Sequence, residues 1–249
     1  MRRPAAVRRW LGGAGLALAL VASLAGAAAA QAAAGCRLAL LMALDVSSSV
    51  DAREYALMRD GLAAALTDPD VTTALLSQGG PVALAVYEWS GRRQSVVVQD
   101  WTMIRSQDDV TAVAARIAAA QRSFSRFPTA LGYALGYGAT MMDRAPDCAR
   151  RVIDVAGDGI TNDGFWPTLA YEHFPFDAIT VNGLAVLGAD PGVVAHYELE
   201  VQHGPGSFVE TADGYDGFRA AMVRKLYREI NDRVVGAVPD PAPRPDGRG

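Results

Sequence analysis

The sequence predicts an α/β protein: a doubly wound, mostly parallel six-stranded sheet with helices on both faces. Three observations carry that expectation. Short apolar runs alternate with segments whose apolar residues recur at helical spacing, the pattern of a sheet covered by helices. The runs at 37–44 and 151–156 are apolar almost throughout rather than alternating, which suits strands buried on both faces. Both end abruptly in polar clusters, Asp45-Val46-Ser47-Ser48-Ser49 and Gly157-Asp158-Gly159, where ligands bind in such folds, outside the carboxyl ends of the strands.

The elements follow in order. Residues 1–34 are set aside as a secretory signal peptide. Arg2, Arg3, Arg8 and Arg9 form a basic start, residues 11–30 are apolar and uncharged, and Ala-x-Ala cleavage options follow Ala30 and Ala34. The first strand, 37–44, leads to Asp51-x-x-Glu54, the signature of a capping box. Tyr55, Met58, Leu62, Ala65 and Leu66 then mark a helix to about residue 66. Gly79-Gly80-Pro81 breaks the chain. Segments 81–90 and 95–101 read as strands joined by Gly91-Arg92-Arg93, and so short a connection demands an antiparallel pair. Ser106-x-x-Asp109 caps a second helix with Val110, Val113, Ala114 and Ile117 on its buried face.

A polar loop, 121–128, leads into Thr129 and a third helix bearing Leu131, Ala134, Leu135, Ala139 and Met142. Gly132, Gly136 and Gly138 each cost about 1 kcal/mol in a helix against Ala, which predicts very close packing there. A strand at 151–156, a strand at 177–187, a short helix at 193–201 and a strand at 207–211 complete the sheet. The strand at 177–187 contains Asn182-Gly183, which alone would suggest a turn. A last helix buries Phe218, Met222, Leu226 and Ile230. Residues 35–232 therefore form one domain, and the Pro-rich, non-periodic stretch 233–249 reads as a disordered tail.

Charge narrows the function. Taking the leader's four arginines from the 23 basic residues leaves 19 against 27 acidic ones, a net charge of −8. An acidic chain without a dense Lys/Arg patch is a poor nucleic-acid ligand, whose binding rests on phosphate neutralisation. Once the leader is removed, no stretch spans a bilayer. A periplasmic or secreted location follows. In that oxidising setting the two cysteines, Cys36 and Cys148, suggest one disulfide. The competing reading is a lipoprotein cleavage box at 33–36 with Cys36 acylated, although Ala rather than Leu stands at its first position.

Asp45-x-Ser47-x-Ser49 after the first strand, Thr129 at the opening of a middle helix and Asp158-Gly159 after a later strand resemble the von Willebrand factor type A (vWA) fold in order and spacing. The stretches "VIDVAGDGITNDG", "NGLAVLG" and "FRAAMVRKLYREI" look most like a secreted bacterial group of vWA-like proteins of unknown function. The resemblance implies a metal-ion-dependent adhesion site. Ser47, Ser49 and Thr129 would ligate the ion directly or nearly so, while Asp45 and Asp158 hold its waters and balance its charge. Hard oxygen donors suit Mg²⁺, which takes near-octahedral oxygen ligands at about 2.0–2.1 Å and keeps several waters; Mn²⁺ and Ca²⁺ are alternatives. One position stays open for a carboxylate of an unidentified protein partner. The family's strand order also sets the first and fourth strands side by side, which brings Cys36 and Cys148 together at the opposite end of the sheet.

Three further residues are secondary candidates. Asp154 is a carboxylate inside a buried strand, costly unless paired, and is expected to anchor a neighbouring helix. Glu88 is expected to be a solvated strand-end acid, and Asn162, with Asp163, to shape the loop. No catalytic residue is assigned. The three histidines lack metal-ligand spacing, and there is no Gly-x-Ser-x-Gly elbow, P-loop or Cys-x-x-Cys. Metal-dependent protein binding is thus the leading reading, and a metal-assisted envelope hydrolase or phosphatase the alternative.

Overall fold

A computed structural model describes residues 35–77 and 79–231. The signal-peptide expectation for 1–34 and the tail expectation for 233–249 lie outside the described residues. Six strands form one sheet: β1 (Leu38–Asp45), β2 (Val82–Trp89), β3 (Ser95–Ile104), β4 (Arg151–Gly157), β5 (Thr180–Val186) and β6 (Val209–Ala212). Their order is β3-β2-β1-β4-β5-β6. The β2–β3 pair is antiparallel and every other pair parallel, so the mostly parallel, doubly wound expectation holds.

Helices cover both faces: α1 (Ala52–Leu66), α2 (Pro69–Leu75), α3 (Gln107–Ala118), α4 (Leu131–Met142), α5 (Pro167–His173), α6 (Val193–His196) and α7 (Phe218–Asn231). The alternation along β1 shows why its sequence is apolar throughout. Leu38, Leu40, Met42 and Leu44 enter the core shared with α1, α2, α3 and α7. Ala39, Leu41 and Ala43 enter the core shared with α4, α5 and α6. Successive side chains of a strand face opposite ways, and here neither way leads to water.

Local chemistry sets the element ends. Asp51 and Glu54 close a capping box on α1, and Ser106 and Asp109 do the same on α3. The tight packing expected of α4 is present. A Cβ on Gly132 would lie 2.2 Å from the Phe165 carbonyl oxygen, and one on Gly136 2.7 Å from the Phe174 ring. The C-terminal carbonyls of α7, orphaned by helix geometry, accept from Arg37 at Ile230 (2.8 Å) and from Arg150 at Glu229 (3.0 Å).

Several boundaries differ from the sequence reading. The strand placed at 95–101 continues to Ile104. The short helices α2 and α5 were not expected; each has Pro at its first turn, which pre-sets helical φ, but is too short for a legible period. The helix placed at 193–201 is α6 followed by a π turn, Tyr197–Val201. Asn182-Gly183 stays within β5 because both residues serve tertiary contacts. Asn182 bonds Glu229 and the Phe208 amide, and a Cβ on Gly183 would sit 2.5 Å from the Tyr197 ring.

At the end of the sheet away from Asp45, Cys36 and Cys148 form a disulfide with Cα atoms 4.3 Å apart. Among the described residues no helix is long and apolar enough to cross a membrane.

Candidate metal site

The site gathers at the carboxyl ends of β1 and β4. Asp45, the last residue of β1, accepts from the Ser47 amide through Oδ1 at 2.7 Å, and this turns the chain out of the sheet. The Val50 amide bonds the Ser47 carbonyl at 3.1 Å and completes the bend into α1. One Arg122 nitrogen donates to the carbonyls of Val46, Ser47 and Val50 at 3.2, 2.9 and 2.5 Å, fixing the loop from behind.

Thr129 arrives from the other side. Its amide donates to Asn162 Oδ1 at 2.9 Å, and its carbonyl accepts from the Asn162 and Asp163 amides at 3.0 and 3.3 Å. The next residue's amide bonds the Ser90 carbonyl at 2.9 Å. Thr129 is thus clamped between the ends of β2 and β4, two residues before α4 begins.

The side chains form one line of contacts. Thr129 Oγ1 donates to Ser47 Oγ at 3.2 Å, Ser47 Oγ lies 3.1 Å from Ser49 Oγ, and Ser49 Oγ donates to Asp158 Oδ1 at 2.7 Å. Ser47, Thr129, Asp45 and Asp158 are all buried, while Ser49 is exposed. The line therefore opens to solvent at Ser49.

The electrostatics are those of a site short of positive charge. Burial, and then repulsion from Asp158, pushes the Asp45 carboxyl up to about 7. Burial also raises Asp158, against the hydrogen bond from Ser49. Asp45 Oδ2 and Asp158 Oδ2 are buried without a hydrogen-bond partner, a costly state for a carboxylate. Gly157 leaves the space beside Asp45 open, since a Cβ there would fall 2.8 Å from Asp45 Oδ2 and 2.7 Å from the Tyr197 hydroxyl. Among the described residues no three His, Cys, Asp or Glu side chains cluster in a metal-binding arrangement. Two orphaned carboxylate oxygens beside three hydroxyls are instead a hard-oxygen set, and they fit Mg²⁺, Mn²⁺ or Ca²⁺.

The secondary candidates stand apart from this line. Asp154 pairs with Lys225 on α7, Nζ to Oδ1 3.0 Å. Asn162 shapes the loop through Thr129, and Asp163 holds Arg92 at 2.7 Å. Glu88 departs from expectation. It is 1% exposed, accepting from the Tyr55 hydroxyl (2.6 Å) and the Ser123 amide (2.8 Å), because α1 and the 121–129 loop close over the end of β2. Its role is to hold the loop that carries Arg122.

Sequence reasoning missed Arg122, Gly157, Tyr197 and the brace between His196 and the loop after β4. His196 Nε2 accepts from the Thr161 amide at 3.2 Å, and burial lowers its pKa, both of which suit the neutral ring. Gly157 alone had a signal, a glycine directly before the strand-end Asp158.

The sheet order and the strand-end position of this site define a doubly wound α/β fold, and the solved structures it resembles are of vWA type. The family described as "Protein of unknown function (DUF1194)" matches residues 35–234, and the chain belongs to it. No curated protein matches the sequence. Among solved structures, proximal thread matrix protein 1 from the mussel byssus is similar at a TM-score of 0.58 and 14% identity, over 77% of this chain and 48% of that one. Another structure of that protein has a zinc-occupied MIDAS motif. A von Willebrand factor type A protein from Catenulispora acidiphila matches at 0.52 and 13%, over 79% and 42%. The PilB minor pilin from Streptococcus sanguinis matches at 0.56 and 10%, over 78% and 61%. This chain thus spans less than two thirds of each, and the likeness is one of fold.

Proposed function

We propose that this protein is a secreted or periplasmic protein-binding module whose partner docks through a divalent ion held by Ser47, Ser49 and Thr129, with Asp45 and Asp158 balancing its charge. The observation that carries the reading is the pair of buried, unpartnered oxygens, Asp45 Oδ2 and Asp158 Oδ2, beside three aligned hydroxyls. A bound cation removes their repulsion and supplies the missing partner. When bound, the ion supplies an electrophilic centre for an outside oxygen. The protein's own groups orient it: Arg122 and Asn162 fix the loops, and Ser49 marks the solvent side.

A partner carboxylate is the matching ligand. A cleft of about 340 Å³ beside Thr129, lined by Arg93, Phe127 and Pro128 among others, offers such a partner a cation and an exposed ring. The mussel byssus protein and the minor pilin that share the fold support a binding rather than catalytic role. Calorimetric titration with Mg²⁺ and Mn²⁺, with acetate present as a carboxylate mimic, tests the site. Uptake lost in Asp45→Ala is expected, and no uptake by the wild type at millimolar ion would overturn the reading. Crosslinking in the native envelope with and without chelator then identifies the partner.

A further inference from the structure

A second group of charged residues lies within the interface between α7 and the sheet, apart from the metal site. Lys225 is fully buried, its Nζ 3.0 Å from Asp154 Oδ1 and 2.6 Å from Glu229 Oε1. Asp154 and Glu229 are 1% and 0% exposed. Both Asp154 oxygens and Glu229 Oε2 lack a hydrogen-bond partner, so the amine approaches Asp154 closely without being aligned for a hydrogen bond. Asn182 Nδ2 donates to Glu229 Oε1 at 2.7 Å and fixes that carboxylate, while the Phe208 ring lies 4.8 Å from Nζ and keeps water away.

An ion pair does not account for this composition. Two carboxyl groups share one ammonium in a dry interior, so one of them must hold a proton to avoid an unpaired buried charge. Burial and Glu229 push the Asp154 carboxyl up to about 7. A protonated carboxyl against an amine, with a second carboxylate in contact with that amine, is the arrangement of an amide-forming reaction. Holding reactants this close supplies most of the entropic advantage of an intramolecular step.

We propose that Lys225 and Asp154 join in an intramolecular isopeptide bond, with Glu229 as the proton carrier. Glu229 takes a proton from Lys225 Nζ, the neutral amine attacks Asp154 Cγ, and a C–N bond forms. Glu229 passes that proton to the Asp154 hydroxyl, the C–O bond breaks, and one water leaves; the nitrogen then gives its second proton to Glu229, which ends protonated and neutral beside the new amide. No oxidant, reductant or co-reactant is needed. The product ties α7 covalently to the middle of β4. It adds a second cross-link to the Cys36–Cys148 bridge and removes the surplus buried carboxyl.

The test is the intact mass of the purified, reduced and denatured protein, followed by peptide mapping. The expected result is a mass lower by one water, with a branched peptide joining residue 154 to residue 225 and no tryptic cleavage after Lys225. Glu229→Gln should return the unlinked mass, and so should Lys225→Met. A wild-type mass equal to the sequence overturns the proposal and leaves a plain buried ion pair. A water deficit found on a linear peptide, as a succinimide at Asp158-Gly159 would give, overturns it too. The wild-type measurement decides the matter whether or not the variants fold.

Discussion

Gly157 faces Asp45 across the β1–β4 pair so closely that a Cβ on Gly157 would fall 2.8 Å from Asp45 Oδ2 and 3.0 Å from Asp45 Cβ. Real side chains do not meet at that distance, so Gly157→Ala must displace Asp45 or the Tyr197 hydroxyl. Overpacking of this kind costs about 1–3 kcal/mol. The expected outcome is a folded protein of lower melting temperature whose Mg²⁺ affinity falls at least tenfold. Unchanged affinity would show that Asp45 takes no part in holding the ion.

Asp45→Asn separates charge from shape. The amide oxygen still accepts from the Ser47 amide, but the repulsion with Asp158 disappears. Without metal, and with chelator present, the variant is expected to melt at or above the wild-type temperature. Added Mg²⁺ should raise the wild-type melting point, as any ligand of the native state does, and leave the variant where it was. Thermal melts under four conditions check both halves.

Much of this was legible in the sequence because it follows from local pattern. The apolar runs of β1 and β4, the capping boxes at Asp51 and Ser106 and the tight glycines of α4 each record a nearby constraint. The grouping of Asp45, Ser47, Ser49, Thr129 and Asp158 was legible through the vWA resemblance, not through local pattern, which by itself reads the Ser cluster as a helix cap. What was not legible depends on distant partners. Glu88 reads as a solvated acid until α1 and the 121–129 loop fold over it. Lys225 and Glu229 look like an ordinary helical i,i+4 pair until β4 places Asp154 beneath them. Gly183 looks like a turn until the Tyr197 ring occupies the space beside it.

Metal binding should strengthen as pH rises through about 7. Asp45 holds a proton in the metal-free folded protein up to about that value, and a ligand set must shed its protons to bind. The sign for stability is opposite. A carboxyl raised from 3.8 to about 7 by folding contributes stability below the lower value that is lost as pH rises through the upper one. The chelated protein is therefore expected to lose stability between pH 4 and pH 7 through this group, and saturating Mg²⁺ should offset that loss above pH 7. Binding should be tighter at pH 8 than at pH 6, and titrations at pH 6 in two buffers of different ionisation enthalpy should show proton release.

Asp154→Ala tests whether the α7 cluster is independent of the metal site. The variant cannot form the proposed cross-link and leaves Lys225 paired with Glu229 alone. The expected cost is at least the roughly 1–3 kcal/mol of a buried polar group losing a partner, and larger by the loop-closure entropy of the lost cross-link. Mg²⁺ affinity of the folded variant should match the wild type. Loss of affinity at an unchanged melting temperature would place Asp154 in the metal site instead.

The disulfide gives the converse case, a strong effect on stability at the far end of the sheet from the proposed metal site. Cys36 and Cys148 close a loop across 112 residues of sequence separation. In the chain-entropy account a loop near this length stabilises by roughly 4–5 kcal/mol by restricting the unfolded chain. Cys36→Ser with Cys148→Ser is expected to lower the denaturation midpoint, and to steepen the transition because the unfolded chain without the cross-link exposes more surface. The Arg37 bonds to Gly80, Leu75 and Ile230 beside the bridge keep the start of β1 in place, so the double variant should still fold. Asp45 stands at the opposite end of β1, seven residues beyond Leu38, so Mg²⁺ affinity should be retained. Denaturant unfolding paired with calorimetry checks both, and a loss of metal binding in a folded double variant would show that the two ends of β1 are mechanically coupled.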